Sequence, residues 1–112
     1  MQVQWINPSN GGFYLLHAVD LEHSHFDNLQ GVYVIFNNVE TLDVGIGNIR
    51  SRLYAHRTQF EHRDDYKELR VRWAAVAPNS QGGVENYLAD KLNLTVGQRF
   101  SNNPPIEVNL PW

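Results

Sequence analysis

Two short segments rich in β-branched and aromatic residues, separated by a polar turn, constrain the fold of this chain most strongly. Residues 31–36 (Gly-Val-Tyr-Val-Ile-Phe) and residues 41–46 (Thr-Leu-Asp-Val-Gly-Ile) both have the composition that strands favour. Apolar residues alternate along the second segment, so one face is apolar and Asp43 falls on the other. Because only a short turn containing Asn37 and Asn38 joins the segments, they are expected to form an antiparallel hairpin.

A helix, a third strand and a second helix are predicted after the hairpin. Asn48 is a suitable N-cap for a helix over residues 49–61, and residues 69–77 alternate as a strand does. Residues 84–92 carry an apolar stripe at helical spacing, and residues 78–83 before them are predicted to form a loop. The order indicates an α+β domain, with a small central antiparallel sheet of about three strands flanked by helices.

The two ends of the chain give weaker signals. In the N-terminal extension, residues 1–30, the segment 13–19 fits either an edge strand or a helical turn. Residues 93–112 are predicted to be an extended tail that docks through Ile106, Val108, Leu110 and Trp112. The length of 112 residues fits one domain, and five Phe, five Tyr and three Trp can fill one core.

The composition excludes several classes of protein. The chain has no cysteine, so neither a disulfide framework nor a thiolate metal site can form. No apolar run is long enough to span a membrane, and the first residues lack the basic and apolar regions of a signal peptide. We therefore expect a cytoplasmic protein without a membrane partner.

Positive charge is concentrated in one part of the chain. Residues 1–47 contain five acidic residues and no Lys or Arg, whereas residues 48–72 contain seven basic and four acidic residues. The net charge of −3 argues mildly against nucleic-acid binding, but this stretch could form one basic face that neutralises phosphates. The alternative is an ordinary solvated helix and loop. The residues expected to contact DNA are Arg50, Arg57, Arg63 and Lys67.

Three motifs, in order along the chain, resemble those of the GIY-YIG endonuclease superfamily. Residues 31–33 (Gly-Val-Tyr), followed ten residues later by residues 43–45 (Asp-Val-Gly), resemble its paired strand motif. The next segment has Arg52 and His56 in the family's Arg-x-x-x-His spacing. Glu85 lies in a Val-Glu-Asn-Tyr-Leu sequence that resembles the later helix, which bears the metal-binding Glu. The likeness covers residues 31 to 92 of a single GIY-YIG-like domain, residues 1–112.

This resemblance implies a metal-dependent endonuclease that hydrolyses DNA phosphodiester bonds. Glu85 would hold Mg²⁺ or Mn²⁺ together with the substrate phosphate, and Tyr33 would help to activate the attacking water. Arg52 would stabilise charge on the phosphate, and His56 could carry a proton near neutral pH. We expect Tyr33, Arg52, His56 and Glu85 to converge on one solvent-open concavity. Because such modules are often fused to DNA-binding domains, a targeting protein could be a partner.

Each of these residues also has an ordinary structural interpretation. At about 100° per residue, His56 falls within the apolar face of its helix and Arg52 falls on the edge of that face. These positions also suit a histidine that is hydrogen-bonded within the core and an arginine that is paired for structural reasons. A strand residue such as Tyr33 is usually packed, and Glu85, near the predicted start of its helix, would gain from the helix dipole in any case.

The chain departs from the family pattern in several places. Asp43 replaces the first residue of the second strand motif, where it could be a second metal ligand or could repel phosphate. The segment from Gly45 to Arg52 is one residue shorter than expected. No Pro-x-x-Asn follows the second helix, and Gln98 is the nearest amide. Gly45 and Gly47 could let a phosphodiester backbone approach, or could simply end the strand.

These departures favour an alternative function, a catalytically degenerate GIY-YIG-fold module that binds nucleic acid or protein. A third possibility is an interaction domain whose extended tail adds to a partner's sheet or groove. Three histidines, His17, His23 and His25, lack a recognised metal-ligand spacing, so a structural or surface role is expected for them.

Overall fold

The structure is a computed structural model that describes residues 1–94 and 103–112. Within these ranges the chain forms an α+β domain with a four-stranded antiparallel sheet and two α-helices. The strands are β1 (Tyr14–Leu15), β2 (Gln30–Phe36), β3 (Thr41–Asn48) and β4 (Arg70–Ala75), and the helices are α1 (Ile49–Phe60) and α2 (Pro78–Lys91). Their spatial order in the sheet is β1-β4-β2-β3, so β3 lies at an edge.

The central strand, β2, separates two hydrophobic clusters. Tyr33 and Ile35 point to the cluster that contains Leu53 of α1, whereas Val32 and Val34 point to the cluster that contains Leu88 of α2. All four β2 residues are fully buried. A strand covered on both faces needs the nearly continuous β-branched and aromatic sequence that residues 31–36 have.

The predicted hairpin is present, but the sheet has four strands, not about three. β2 pairs with β3 in an antiparallel register that places Tyr33 opposite Gly45. The additional strand, β1, pairs with β4 through only two residues, and the backbone then turns as Val19 N donates to Leu15 O. The segment 13–19 therefore contains both an edge strand and a turn. A pair of residues is too short to give a periodic signal.

The start of α1 follows the sequence prediction. The side chain of Asn48 accepts a hydrogen bond from Ser51 N at 3.0 Å, which satisfies one of the unpaired amides of the first turn. Ile49 N donates to Leu29 O at 3.0 Å and ties the helix to the chain before β2. The cap therefore fixes where α1 begins relative to the hairpin.

The prediction of a loop over residues 78–83 is wrong, because α2 begins at Pro78. Proline suits the first turn of a helix, where its missing N–H has no partner to lose. Gly83 lies where the C-terminal segment packs, and a Cβ there would be 2.6 Å from Ile106 Cγ1. Glu85 is therefore well inside α2 and not in its first turn. The helix dipole consequently does not account for an acidic residue at this position.

The described part of the C-terminal tail packs on the domain. Ile106 N donates to Gly83 O at 2.9 Å, and Val108 is buried. Leu110 and Trp112 remain exposed, although the Trp112 ring contacts Phe36 with a centroid separation of 5.0 Å. The tail thus covers the α2 side of the sheet. Neither described helix is both long and apolar enough to cross a membrane.

Candidate active site

The candidate site forms where Tyr33 meets the edge strand. The register places Tyr33 directly beside Gly45, and a Cβ at Gly45 would lie 2.0 Å from the Tyr33 hydroxyl oxygen. Only a residue without a side chain leaves room for the phenol at this point. Gly45 therefore accommodates Tyr33, which is a different reason from the phosphate approach that the sequence suggested.

The phenol reaches a histidine and a carboxylate. His56 Nε2 lies 2.6 Å from the Tyr33 hydroxyl and 2.8 Å from Asp43 Oδ2. Strand alternation predicts that Asp43 shares a face with Gly45, and its carboxylate indeed points toward the site. A hydrogen bond between Tyr33 and His56 and a close contact between His56 and Asp43 thus bring three side chains together, named here the Tyr33–His56–Asp43 cluster.

Two further residues of α1 fix the imidazole of His56. Gln59 Oε1 lies 2.7 Å from His56 Nδ1, and the Phe60 ring stacks on the imidazole with 5.6 Å between centroids. These residues follow His56 by three and four positions, the spacing that puts side chains on one helix face. Sequence reasoning missed Gln59, although its i+3 position relative to His56 is a usable signal.

The environment of Tyr33 keeps its hydroxyl protonated. Burial raises the pKa of Tyr33 to about 12, and the charge of Asp43 adds to this. The neighbouring Arg52 guanidinium acts in the opposite direction. Arg52 is exposed, so its guanidinium places a positive charge at the protein surface beside this cluster.

Glu85 of α2 belongs to the same electrostatic environment. Burial raises its pKa to about 7, the charge of Asp43 contributes, and Arg52 opposes the shift. Side chains from β3, α1 and α2 therefore influence one another at this edge of the sheet.

Gly47, two residues after Gly45, has a φ of +119°, which requires glycine for its backbone conformation.

The site is more closed than the sequence led us to expect. The Tyr33 side chain has no solvent exposure, and Glu85 has only 5%. The side chain of His56 is 8% exposed and that of Asp43 is 20% exposed. Tyr33 and His56 meet as predicted, and the charges of Arg52 and Glu85 act on Tyr33, but the expectation of a solvent-open concavity is wrong for Tyr33. Asp43 and Arg52 are the members of the site that face the solvent.

The arginines predicted to contact DNA have partners within the chain. Arg50 donates to Asp27 Oδ1 at 2.8 Å and to Leu21 O at 2.6 Å. Arg57 donates through Nε to Leu16 O at 2.8 Å and through a terminal nitrogen to Val19 O. Both arginines therefore hold the loop after β1 against α1.

Arg63 is also paired, because its guanidinium donates to Asp65 at 2.8 and 3.1 Å. Lys67 is exposed. Of the two interpretations of the basic stretch, the internal partners of Arg50, Arg57 and Arg63 favour an ordinary helix and loop over a single free basic face. The acceptors of Arg50 and Arg57 lie in the loop after β1, up to 41 residues away, so local sequence could not reveal them.

The remaining polar residues that the sequence highlighted lie elsewhere. His23 Nδ1 accepts from His25 N at 2.9 Å, and Trp73 Nε1 donates to His25 Nε2 at 3.0 Å. The ring of His17 packs against Tyr66. These are structural contacts, as expected. Gln98 lies outside the described residues.

Glu85 and Asp43 are the carboxylates available at this site for a cation. No group of three or more His, Asp or Glu side chains that could hold a metal occurs in residues 1–94 and 103–112. Magnesium, however, usually keeps several waters and binds through one or two carboxylates plus substrate phosphate. The donor set therefore fits a hard cation shared with a phosphate.

Comparison with protein-family models, with curated proteins and with solved structures found no match for this chain. The functional argument therefore depends on the geometry and chemistry of the site itself. Its main features are a buried Tyr–His pair, a buried carboxyl with a raised pKa, and an exposed arginine beside them.

Proposed function

We propose that this chain is a metal-dependent endonuclease of the GIY-YIG type, which hydrolyses DNA phosphodiester bonds. The observation that carries the proposal is the buried hydrogen bond between Tyr33 and His56, together with the charges of Arg52 and Glu85 that act on Tyr33. These residues come from β2, α1 and α2, and the sequence motifs alone single them out. Groups with strongly shifted pKa values that gather in this way are candidates for catalysis.

Arg52 is the group best placed to bind a phosphate. It is exposed and its partner within the chain is Tyr33 of the site itself, whereas Arg50, Arg57 and Arg63 donate to acceptors outside the site. A guanidinium can bind two phosphate oxygens at once, and it stabilises the charge that develops during hydrolysis. Arg52 therefore orients the scissile phosphate toward Asp43 and Glu85.

Glu85 is the proposed ligand of Mg²⁺ or Mn²⁺. Its raised pKa reflects burial and the nearby negative charge of Asp43, and both effects favour a partner of opposite charge. When bound, the cation neutralises negative charge on the phosphate and the leaving oxygen. Tyr33 and His56 hold the geometry of the site through their hydrogen bond.

The proposal is tested by measuring cleavage and binding on the same preparations. We expect the unmodified protein to nick plasmid DNA in magnesium or manganese. Glu85→Gln should abolish nicking but keep or strengthen DNA binding, because a negative charge near the phosphate is lost. Arg52→Ala should weaken both activities. Glu68→Gln, which changes an exposed glutamate away from the site, is the matched control and should behave as the unmodified protein does.

Two observations favour the second candidate function, a degenerate module that binds nucleic acid or protein without cleaving it. The full burial of Tyr33 and the internal partners of three arginines are compatible with a purely structural core. Failure to cut single-stranded, duplex and branched DNA with any divalent metal would establish this alternative. The tail packs on its own domain, so strand addition to a partner is less favoured.

A further inference from the structure

Tyr33 is poorly placed to take a proton from an attacking water molecule. Its side chain has no solvent exposure, and its hydroxyl lies between Gly45 and His56. Its pKa of about 12 also keeps the phenol protonated near neutral pH, so it has no free base to offer. His56 is similarly enclosed, because Gln59 and Phe60 contact its imidazole.

Asp43 has the properties that Tyr33 lacks. Its side chain is 20% exposed, and it lies on the edge strand β3. One carboxylate oxygen, Oδ2, contacts His56 Nε2 at 2.8 Å. The other, Oδ1, makes no hydrogen bond to any residue in the described parts of the chain. Asp43 therefore has one oxygen fixed by the protein and one that can accept a proton from solvent.

The position of Asp43 relative to the other groups is equally suitable. Asp43 and Tyr33 both contact His56 Nε2, and the charge of Asp43 also acts on Glu85. Arg52, the proposed phosphate-binding residue, acts on Tyr33 and Glu85. A phosphate bound by Arg52 would consequently lie beside Asp43.

We propose that Asp43 is the general base of this site, taking the proton of the attacking water at Oδ1, while His56 and Tyr33 are positioning residues that fix its carboxylate. The inference rests on the proposed nuclease function. The water oxygen forms the new bond to phosphorus as its proton moves to Asp43. The bond from phosphorus to the leaving ester oxygen then breaks, and that oxygen takes a proton from solvent. Asp43 returns its own proton to solvent before the next turnover.

The first test replaces the carboxylate with an amide of the same shape. Asp43→Asn keeps an oxygen for His56 but is a much weaker base, so kcat should fall by roughly 100-fold or more. DNA binding should be retained, and the affinity for Mn²⁺ measured by calorimetry should stay within about threefold of the unmodified value, since lost ligands and their partners typically cost 10–100-fold. Asp64→Asn, at an exposed site, is the matched control.

The second test is rescue by an external base. Asp43→Ala should be inactive but should regain part of its cleavage activity in formate, and the rate should rise with formate concentration. Glu85→Gln should gain nothing from formate. Tyr33→Phe, which keeps Asp43, should lose less than about tenfold in kcat, since positioning and not proton transfer is impaired. Thermal unfolding of each variant identifies any loss that is due to misfolding.

The outcomes separate this inference from the proposed function. Cleavage by the unmodified protein that is lost in Glu85→Gln but survives in Asp43→Asn overturns the role of Asp43 and leaves the nuclease function standing. A large loss of Mn²⁺ affinity in Asp43→Asn makes Asp43 a metal ligand and overturns its role as base. If formate does not restore cleavage by Asp43→Ala and Tyr33→Phe is inactive, Tyr33 and not Asp43 is the general base. Absence of cleavage by the unmodified protein overturns both proposals.

Discussion

Gly45 must be a glycine because the buried side chain of Tyr33 occupies the space that a Cβ would need. A Cβ at Gly45 would be 2.0 Å from the Tyr33 hydroxyl and 2.2 Å from its Cζ, so a ring atom as well as the oxygen would have to move. Tyr33 is fully buried and hydrogen-bonded to His56, which leaves it little room to adjust. The glycine and the tyrosine therefore act as one unit.

Gly45→Ala should destabilise the protein by about 1–3 kcal/mol, the usual range for overpacking a core. The measurement is the free energy of unfolding in urea. In a Tyr33→Ala background the added methyl group has space, so Gly45→Ala should then have an effect within about 0.5 kcal/mol of zero, the usual tolerance for independent sites. Equal effects in the two backgrounds would mean that the contact with Tyr33 does not explain the glycine.

Glu85 gives a prediction about pH and stability. Its folded pKa, about 7, is above the ordinary value of 4.5, so between these pH values the folded state holds a proton that the unfolded state has released. Stability should therefore fall as pH rises from about 4.5 to 7. At pH 8 Glu85→Gln should be more stable than the unmodified protein by up to about 3 kcal/mol, and the difference should vanish near pH 4.5. Urea unfolding at both pH values measures it, and Glu68→Gln should show no such pH-dependent gain.

At the scale of elements, the N-cap of α1 controls where Arg52 and His56 stand. Asn48→Ala removes the acceptor for Ser51 N and should destabilise the protein by about 1 kcal/mol. Asn48→Asp keeps the acceptor and should be close to neutral. The urea midpoints of the two variants decide this, and equal losses in both would assign the effect to something other than the cap.

The hydrogen bonds of Arg57 predict a role in the structure of the loop after β1 and none in DNA binding. Its guanidinium donates to Leu16 O and Val19 O, and Arg57→Ala would leave both carbonyls without this partner. Arg57→Ala should therefore destabilise the protein by about 2–3 kcal/mol, while the salt dependence of DNA binding stays unchanged. Lys67→Ala, at an exposed position, should leave stability unchanged. A reduced salt slope in Arg57→Ala would restore the original interpretation of this residue.

The elements that the sequence predicted correctly are those whose signals are local. The hairpin and the cap at Asn48 depend on neighbours in the sequence, and both are confirmed. The alternation in residues 41–46 holds only in part, because a register shift leaves Leu42 unpaired and places it on the α1 side, whereas Val44 and Ile46 pack on the α2 side. The start of α2 was missed because Pro78 and Gly83 were interpreted as helix breakers. Proline at a first helical position is instead compatible with the start of a helix, and Gly83 makes room for the tail that packs on α2.

The residues of the candidate site could be predicted from the sequence, but their burial and solvent accessibility could not. The order of motifs selected Tyr33, Arg52, His56 and Glu85. The fold joins Tyr33 to His56, and the charges of Arg52 and Glu85 act on Tyr33. The burial of Tyr33 depends on Gly45 and on the way α1 closes over the sheet, which no local pattern encodes. Its consequence, that Asp43 is the more accessible base, is therefore visible only in three dimensions.

At the scale of the whole molecule, the two ends of the described chain are joined. The amino group of Met1 donates to Glu107 O at 3.0 Å, and Trp5 Nε1 donates to Asn109 O at 2.9 Å. Trp5 and Val108 belong to the same buried cluster as Val84 and Leu88 of α2. The ends therefore close the core on the α2 side, and they hold the helix that carries Glu85.

Asn109 makes the most specific of these contacts. Its Oδ1 accepts from Val3 N at 2.7 Å and its Nδ2 donates to Val3 O at 2.9 Å, so one amide side chain satisfies both backbone groups of one residue, as a neighbouring strand would. Asn109→Ala should destabilise the protein by about 2–3 kcal/mol, since two part-buried backbone groups lose their partner. Asn109→Asp keeps the acceptor but places a carboxylate near Val3 O, so it should lose nearly as much. Asn38→Ala, at an exposed turn position, is the matched control and should change the free energy of unfolding by less than about 0.5 kcal/mol. Urea unfolding of the three variants measures these differences. If Asn109→Ala matches Asn38→Ala, the junction of the two ends does not contribute to stability, and the hold on α2 must come from the buried cluster alone.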